Sequence, residues 1–93
     1  MSFLKRLFGS GREEPVASTP VEYKGWTIAP APFREGGQFQ TAGIIRKEIN
    51  GVVKEHRFIR ADRFTSAEEA VNHAVRKARQ IIDERGERLF ESD

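Results

Sequence analysis

Apolar positions along this 93-residue chain follow two different periods. Between residues 66 and 85, Ala67, Ala70, Val71, Ala74, Val75, Ala78, Ile81 and Ile82 recur at three- and four-residue steps, the mark of one helix face. Ser66 with Glu69 forms a capping box, and Thr65 with Glu68 is the alternative frame. Both glutamates suit the positive end of the helix dipole. Gly86 is the expected stop, and Leu89 and Phe90 beyond it should fold back onto the core. Upstream, the period drops to two. Residues 38–48 and 52–61 read as strands flanking Asn50-Gly51, the preferred dipeptide for a two-residue type I′ turn. That turn fixes a register: Ile49 faces Val52, Ile45 faces His56, Gly43 faces Phe58 and Ala42 faces Ile59. It also sets Arg46 against Glu55, a favourable pair, and Lys47 against Lys54, an unfavourable one unless something negative sits there.

Residues 21–29 read as a further strand, with Trp26 and Ile28 alternating against Thr27 and Ala29. Gly25 inside it suggests a bulge or a tight bend, and Pro30 and Pro32 end it. Glu35-Gly36-Gly37-Gln38 is a turn. One face of the main hairpin carries Phe39, Gly43, Ile45, Ile49, Val52 and Phe58; the other carries Ala42, Ile44, Val53, Ile59 and Ala61. The first holds both rings and is the expected core face. The order strand, strand, strand, helix predicts an α+β fold: a three-stranded antiparallel sheet with one long C-terminal helix packed on one face.

Ahead of this domain the pattern changes. Phe3, Leu4, Leu7 and Phe8 fall on one side of a two-turn helix, with Lys5 and Arg6 off it. Residues 1–8 thus read as a short basic amphipathic segment, able to touch a membrane surface weakly or to fray as an apolar tip. Residues 9–20, rich in Gly, Ser, Pro and Glu, read as a flexible linker, leaving 21–90 as the single folded domain.

Composition narrows the chemistry. There are 23 Leu, Ile, Val and Phe residues, about a quarter of the chain and enough for a core. The chain has no cysteine, which removes disulfides, thiolate metal sites and cysteine nucleophiles, and fits a cytoplasmic location. No apolar run reaches the ~18 residues of a membrane span. His56 and His73 lie far apart in sequence without ligand spacing, so no metal is implied. No serine stands in a nucleophile elbow, Gly36-Gly37 opens a strand where a phosphate cradle needs a helix, and a small sheet with one helix leaves little room for a substrate. The reading is a non-enzyme with no cofactor and no small-molecule substrate.

Net charge is only +2, but bases cluster. Residues 46–63 carry six, and Arg76, Lys77 and Arg79 lie in a helical stretch without acids. Lys47, Lys54, Arg57, Arg60, Arg63, Arg76, Lys77 and Arg79 are therefore the candidate contacts to nucleic acid or a partner protein, since a two-stranded ribbon can enter a major groove. A solvated charged face accounts for the same residues and is common on soluble domains. A helix-turn-helix is absent, because strands precede the lone long helix.

Several blocks carry a resemblance. Tyr23-Lys24-Gly25-Trp26-Thr27-Ile28 runs into Pro30-Ala31-Pro32. Glu35-Gly36-Gly37-Gln38-Phe39 is followed by Thr41-Ala42-Gly43. Glu55-His56-Arg57-Phe58-Ile59-Arg60-Ala61-Asp62 leads into Ser66-x-Glu68-Glu69-Ala70, and Lys77-Ala78 precedes Ile81-Ile82-Asp83. With the opening Met-Ser-Phe-Leu-Lys-Arg-Leu-Phe-Gly, the chain resembles the HlyU-like family of small proteobacterial proteins, described as transcriptional activators. The resemblance implies a cytoplasmic regulator of transcription and assigns no contact residues. Its expected partners are DNA, a second copy of the chain or another regulatory protein. The alternative is a protein–protein interaction module, or an adaptor tethered to a membrane surface by residues 1–8.

Overall fold

The structure, a computed structural model, describes residue 16 and residues 18–91. The amphipathic segment expected at 1–8 and most of the expected linker lie outside the described residues. The elements are β1 (Val21–Tyr23), β2 (Trp26–Pro30), β3 (Phe33–Glu35), β4 (Gln38–Ile49), β5 (Val52–Phe64), α1 (Ala67–Arg85) and a 3-10 turn (Gly86–Phe90).

The α+β class with an antiparallel sheet and one C-terminal helix is as expected, but the sheet has five strands, not three. The strand expected over 21–29 folds back on itself at Lys24-Gly25. Both residues take positive φ (52° and 86°), the type I′ geometry that matches the twist of a hairpin. Gly25 is therefore a reversal of direction, pairing Tyr23 with Trp26 and Val21 with Ile28. The second addition is β3. Pro30 and Pro32 have no N–H to give to a ladder, so the strand breaks there and resumes at Phe33, which pairs with Gln40. β2 and β3 lie one after the other along the same edge of β4, joined across the break by the Ala31 N–H donating to the Ala42 carbonyl at 2.9 Å. β5 lines the other edge of β4. Val16 N–H donates to the Pro32 carbonyl at 2.8 Å, and Ser18 Oγ donates to the Pro30 carbonyl at 3.2 Å.

The β4–β5 register agrees with the sequence reading at every stated pair, from Ile49 against Val52 to Ala42 against Ile59. Beyond that the ladder slips. Gln40 pairs with Arg63, so Arg60, Ala61 and Asp62 stand opposite Thr41 alone, a bulge that carries β5 on to Phe64.

α1 packs on the face expected to be the core. Ser66 caps it, its Oγ accepting the Glu69 N–H at 3.2 Å. Gly86 ends it at φ 57°, its N–H returning to the Ile82 carbonyl. Ala70, Ala74 and Ala78 are completely buried, and their small side chains let the helix lie close to the strands. Opposite them sit Ile28 and Ile45, both fully buried, and Phe58. Burying each such side chain stabilises the fold by about 1.5–3 kcal/mol. Gly43 makes room for Phe58: a Cβ there would lie 2.8 Å from two ring carbons. The 3-10 turn closes the open end, with Leu89 in the core and Phe90 stacked on Trp26 at 5.5 Å between centroids. Among the described residues Thr41 is the one buried polar residue, and its Oγ1 has no hydrogen-bond partner there.

Candidate functional site

The candidate contacts divide among three places. The largest group rides on the β4–β5 ribbon, held in register by Asn50 and Gly51 at φ 54° and 81°. Cross-strand partners share a face, so Ala42, Ile44, Arg46, Val53, Glu55, Arg57 and Ile59 point away from α1. That face is open. Val53 is 59% exposed and Ile59 is 64% exposed, against none for Ile45 on the covered side. Arg46 Nε donates to Glu55 Oε2 at 2.6 Å. This bond, with the charges of Arg46 and Arg57 beside it, holds the Glu55 carboxyl below its ordinary range. Arg57 and Arg63 are exposed on this face, Arg63 opposite Gln40 past the bulge. Arg60 lies in the bulge, where its carbonyl accepts from Gln40 Nε2 at 3.0 Å.

Lys47 and Lys54 face each other on the α1 side, as the register requires. The missing negative charge is supplied by the 3-10 turn: Glu87 Oε2 lies 3.1 Å from Lys47 Nζ. The same ammonium sits 4.9 Å from the centre of the Trp26 ring, a cation–π arrangement. Lys47 is therefore occupied within the fold, whereas Lys54 is exposed. At the far end of β5, Asp62 pairs with His73 of α1, whose ring packs against Phe64. His56 is half-buried in mid-strand.

The helical bases lie elsewhere. Arg76 and Arg79 border a shallow groove of about 400 Å³ with Val21, Asn72 and Val75, on the β1 side of the helix. Arg79 also lies 5.4 Å over the Tyr23 ring. Lys77, one step round the helix, is half-buried. The eight bases do not converge into one patch. β5 gathers Lys54, Arg57, Arg60 and Arg63; the groove gathers Arg76 and Arg79.

One polar cluster escaped the sequence reading. Tyr23 Oη donates to both Asp83 oxygens at 2.9 and 2.8 Å, and Lys24 Nζ reaches Oδ1 at 3.1 Å. These bonds, the tyrosine's first, hold the Asp83 carboxyl low, and Asp83 in turn raises Lys24. Only the β1–β2 reversal brings these side chains to the helix. A reading of Tyr-Lys-Gly-Trp as a hairpin turn would have found it.

Among the described residues no group of three or more histidines or carboxylates could hold a metal ion. No described helix is long and apolar enough to cross a membrane. No curated protein and no solved structure gives a significant match to the chain. A family comparison does: the family described as "Transcriptional activator HlyU" matches residues 2–90. The match spans nearly the whole chain, including the blocks around the two hairpin turns and the helix, and the chain belongs to the HlyU family of transcriptional activators.

Proposed function

We propose that this family member regulates transcription by binding DNA through β5, without catalysing a reaction. One observation carries the reading. Both acids of β5 are engaged inside the fold, Glu55 by Arg46 and Asp62 by His73. Its four cations Lys54, Arg57, Arg60 and Arg63 are exposed and take part in none of the ion pairs among the described residues. The strand thus carries a positive charge at every third residue, Lys54 on the α1 side and Arg57 and Arg63 on the other face, with its negative charges engaged. A ribbon of this kind supplies phosphate contacts, and a major groove admits two strands. Residues 21–90 are the binding domain in this reading, working in the cytoplasm, with 1–8 and 9–20 as an appended tip and tether.

The test is fluorescence anisotropy with the duplex upstream of the gene and a shuffled duplex, over roughly 50–200 mM salt. Preference for the upstream duplex, lost in Arg57→Ala and Arg60→Ala with the salt slope reduced by about one for each cation, is the expected result. Equal, salt-labile binding to both duplexes that neither substitution changes would overturn it.

A further inference from the structure

β5 is the longest free edge of the sheet, with β4 as its only partner among the described residues. Such an edge offers a row of backbone donors and acceptors to another strand. Two features make this one suited to a particular partner. The first is its exposure: among the described residues the exposed large apolar side chains are Val52, Val53 and Ile59, all on this strand. The second is the order of side chains on its open face, Val53, Glu55, Arg57, Ile59. Read backwards, the order is apolar, cation, anion, apolar. It is complementary to itself.

We infer that two copies of this chain pair antiparallel along the outer edges of β5, about a two-fold axis that passes beside His56. In that register residue 53 of one copy meets residue 59 of the other, and residue 55 meets residue 57. Each pair occurs twice, as an isologous contact requires. Val53 packs against Ile59, and Glu55 meets Arg57. The charge row of the open face, which begins with Arg46 on Glu55, then continues across the axis to the second copy's Arg57. On the α1 side, Lys54 comes opposite Phe58 and His56 opposite its own copy. Neighbouring two-fold registers lack this match. Centring on Glu55 sets two glutamates against each other, centring on Arg57 sets two arginines, and only the register through residue 56 satisfies both the charged and the apolar positions. The helix does not stand in the way: it lies mainly over β4 and β2. The bulge at residues 60–62 limits the pairing to residues 53–59, so the contact is short.

This inference goes beyond the DNA reading and does not depend on it: in the dimer Arg57 is engaged by Glu55 of the second copy, which leaves Lys54, Arg60 and Arg63 for phosphate, and the test contains no DNA. The full-length protein is examined by light scattering and sedimentation across micromolar concentrations. The expected mass is twice the 10.6 kDa of the chain. Arg57→Glu sets two glutamate pairs across the axis, and Glu55→Arg sets two arginine pairs. Each should weaken self-association roughly ten-fold or more, because like charges directly opposite are destabilising. An equimolar mixture of the two variants should recover association, since one copy then offers two acids and the other two bases at matching positions. Circular dichroism confirms that each variant is folded. A second measurement uses the absence of native cysteine: His56→Cys should form a disulfide-linked dimer on oxidation, whereas Ala61→Cys, beyond the paired segment, should not. A monomer throughout the concentration range overturns the inference. So does a dimer that survives both reversals, or variants whose mixture stays monomeric.

Discussion

The two faces of the sheet are made by the same strands and carry opposite solutions to burial. Under α1, β2, β4 and β5 contribute Ile28, Ile45 and Phe58 to a surface closed by a ridge of alanines. On the reverse, the same β4 and β5 contribute Ile44, Arg46, Val53, Glu55, Arg57 and Ile59, with no helix over them among the described residues. Alternation along a strand decides membership, so one residue of slip would exchange the faces. Asn50-Gly51 prevents that slip. The contrast shows that an apolar side chain acquires its role here from its parity: Ile45 is core, while Ile44 and Ile59 are held for the outside.

The largest test of that contrast compares two isoleucines. Ile45→Ala should cost about 2–5 kcal/mol in urea unfolding, since it leaves a cavity under the helix. Ile59→Ala should stay within about 0.5 kcal/mol for the monomer, as a surface change does. Similar costs at both sites would mean that the open face is covered after all. Next, Gly43→Ala should cost about 1–3 kcal/mol, because its Cβ would enter the space of the Phe58 ring; pairing it with Phe58→Leu in a double-mutant cycle should recover part of the loss. Thr41→Val should raise stability by about 1 kcal/mol, since it replaces a buried hydroxyl with no partner. A loss there would show that the hydroxyl is satisfied.

Acid provides the smallest test. Glu55 and Asp83 both have lowered carboxyl pKa values in the fold, through Arg46 and through Tyr23 with Lys24. A lowered carboxylate contributes stability that is fully present above its ordinary value, 4.5 for Glu55 and 3.8 for Asp83, and is lost as pH falls through the lowered one. The urea midpoint should therefore drift down below those values. Glu55→Gln should remove only the open-face share, and Asp83→Asn only the share at the β1–β2 turn. Both sites are exposed, so each share is small and shrinks further in high salt.

The sequence revealed most where one local rule decided the outcome. Asn50-Gly51 sets the ribbon's register on its own, and Ser66 and Gly86 mark the helix ends through capping chemistry alone. It revealed less where an atypical residue took an unusual conformation. Lys24 at φ 52° does the work usually given to Asn or Gly, so the first hairpin looked like one strand. β3 is three residues long, too short for a period to show. The candidate contacts suffered most. Their spacing was visible, but Lys47 proved to be held by Glu87, forty residues on, and only the third dimension sorts free cations from engaged ones.

The stack of Phe90 on Trp26 has a consequence in time. Every strand finds a partner next to it in sequence, and only the β2–β4 pairing skips a strand, so hairpins can form early and locally. The Trp26 ring, by contrast, waits for the 3-10 turn at the far end of the domain. On the ribosome, the sheet can be assembled while its core still lies open at one end, and the barrier to proteolysis and misassociation is complete only when residues 86–90 emerge. Tryptophan fluorescence during synthesis would register that closing step as a late event, separate from the formation of the strands.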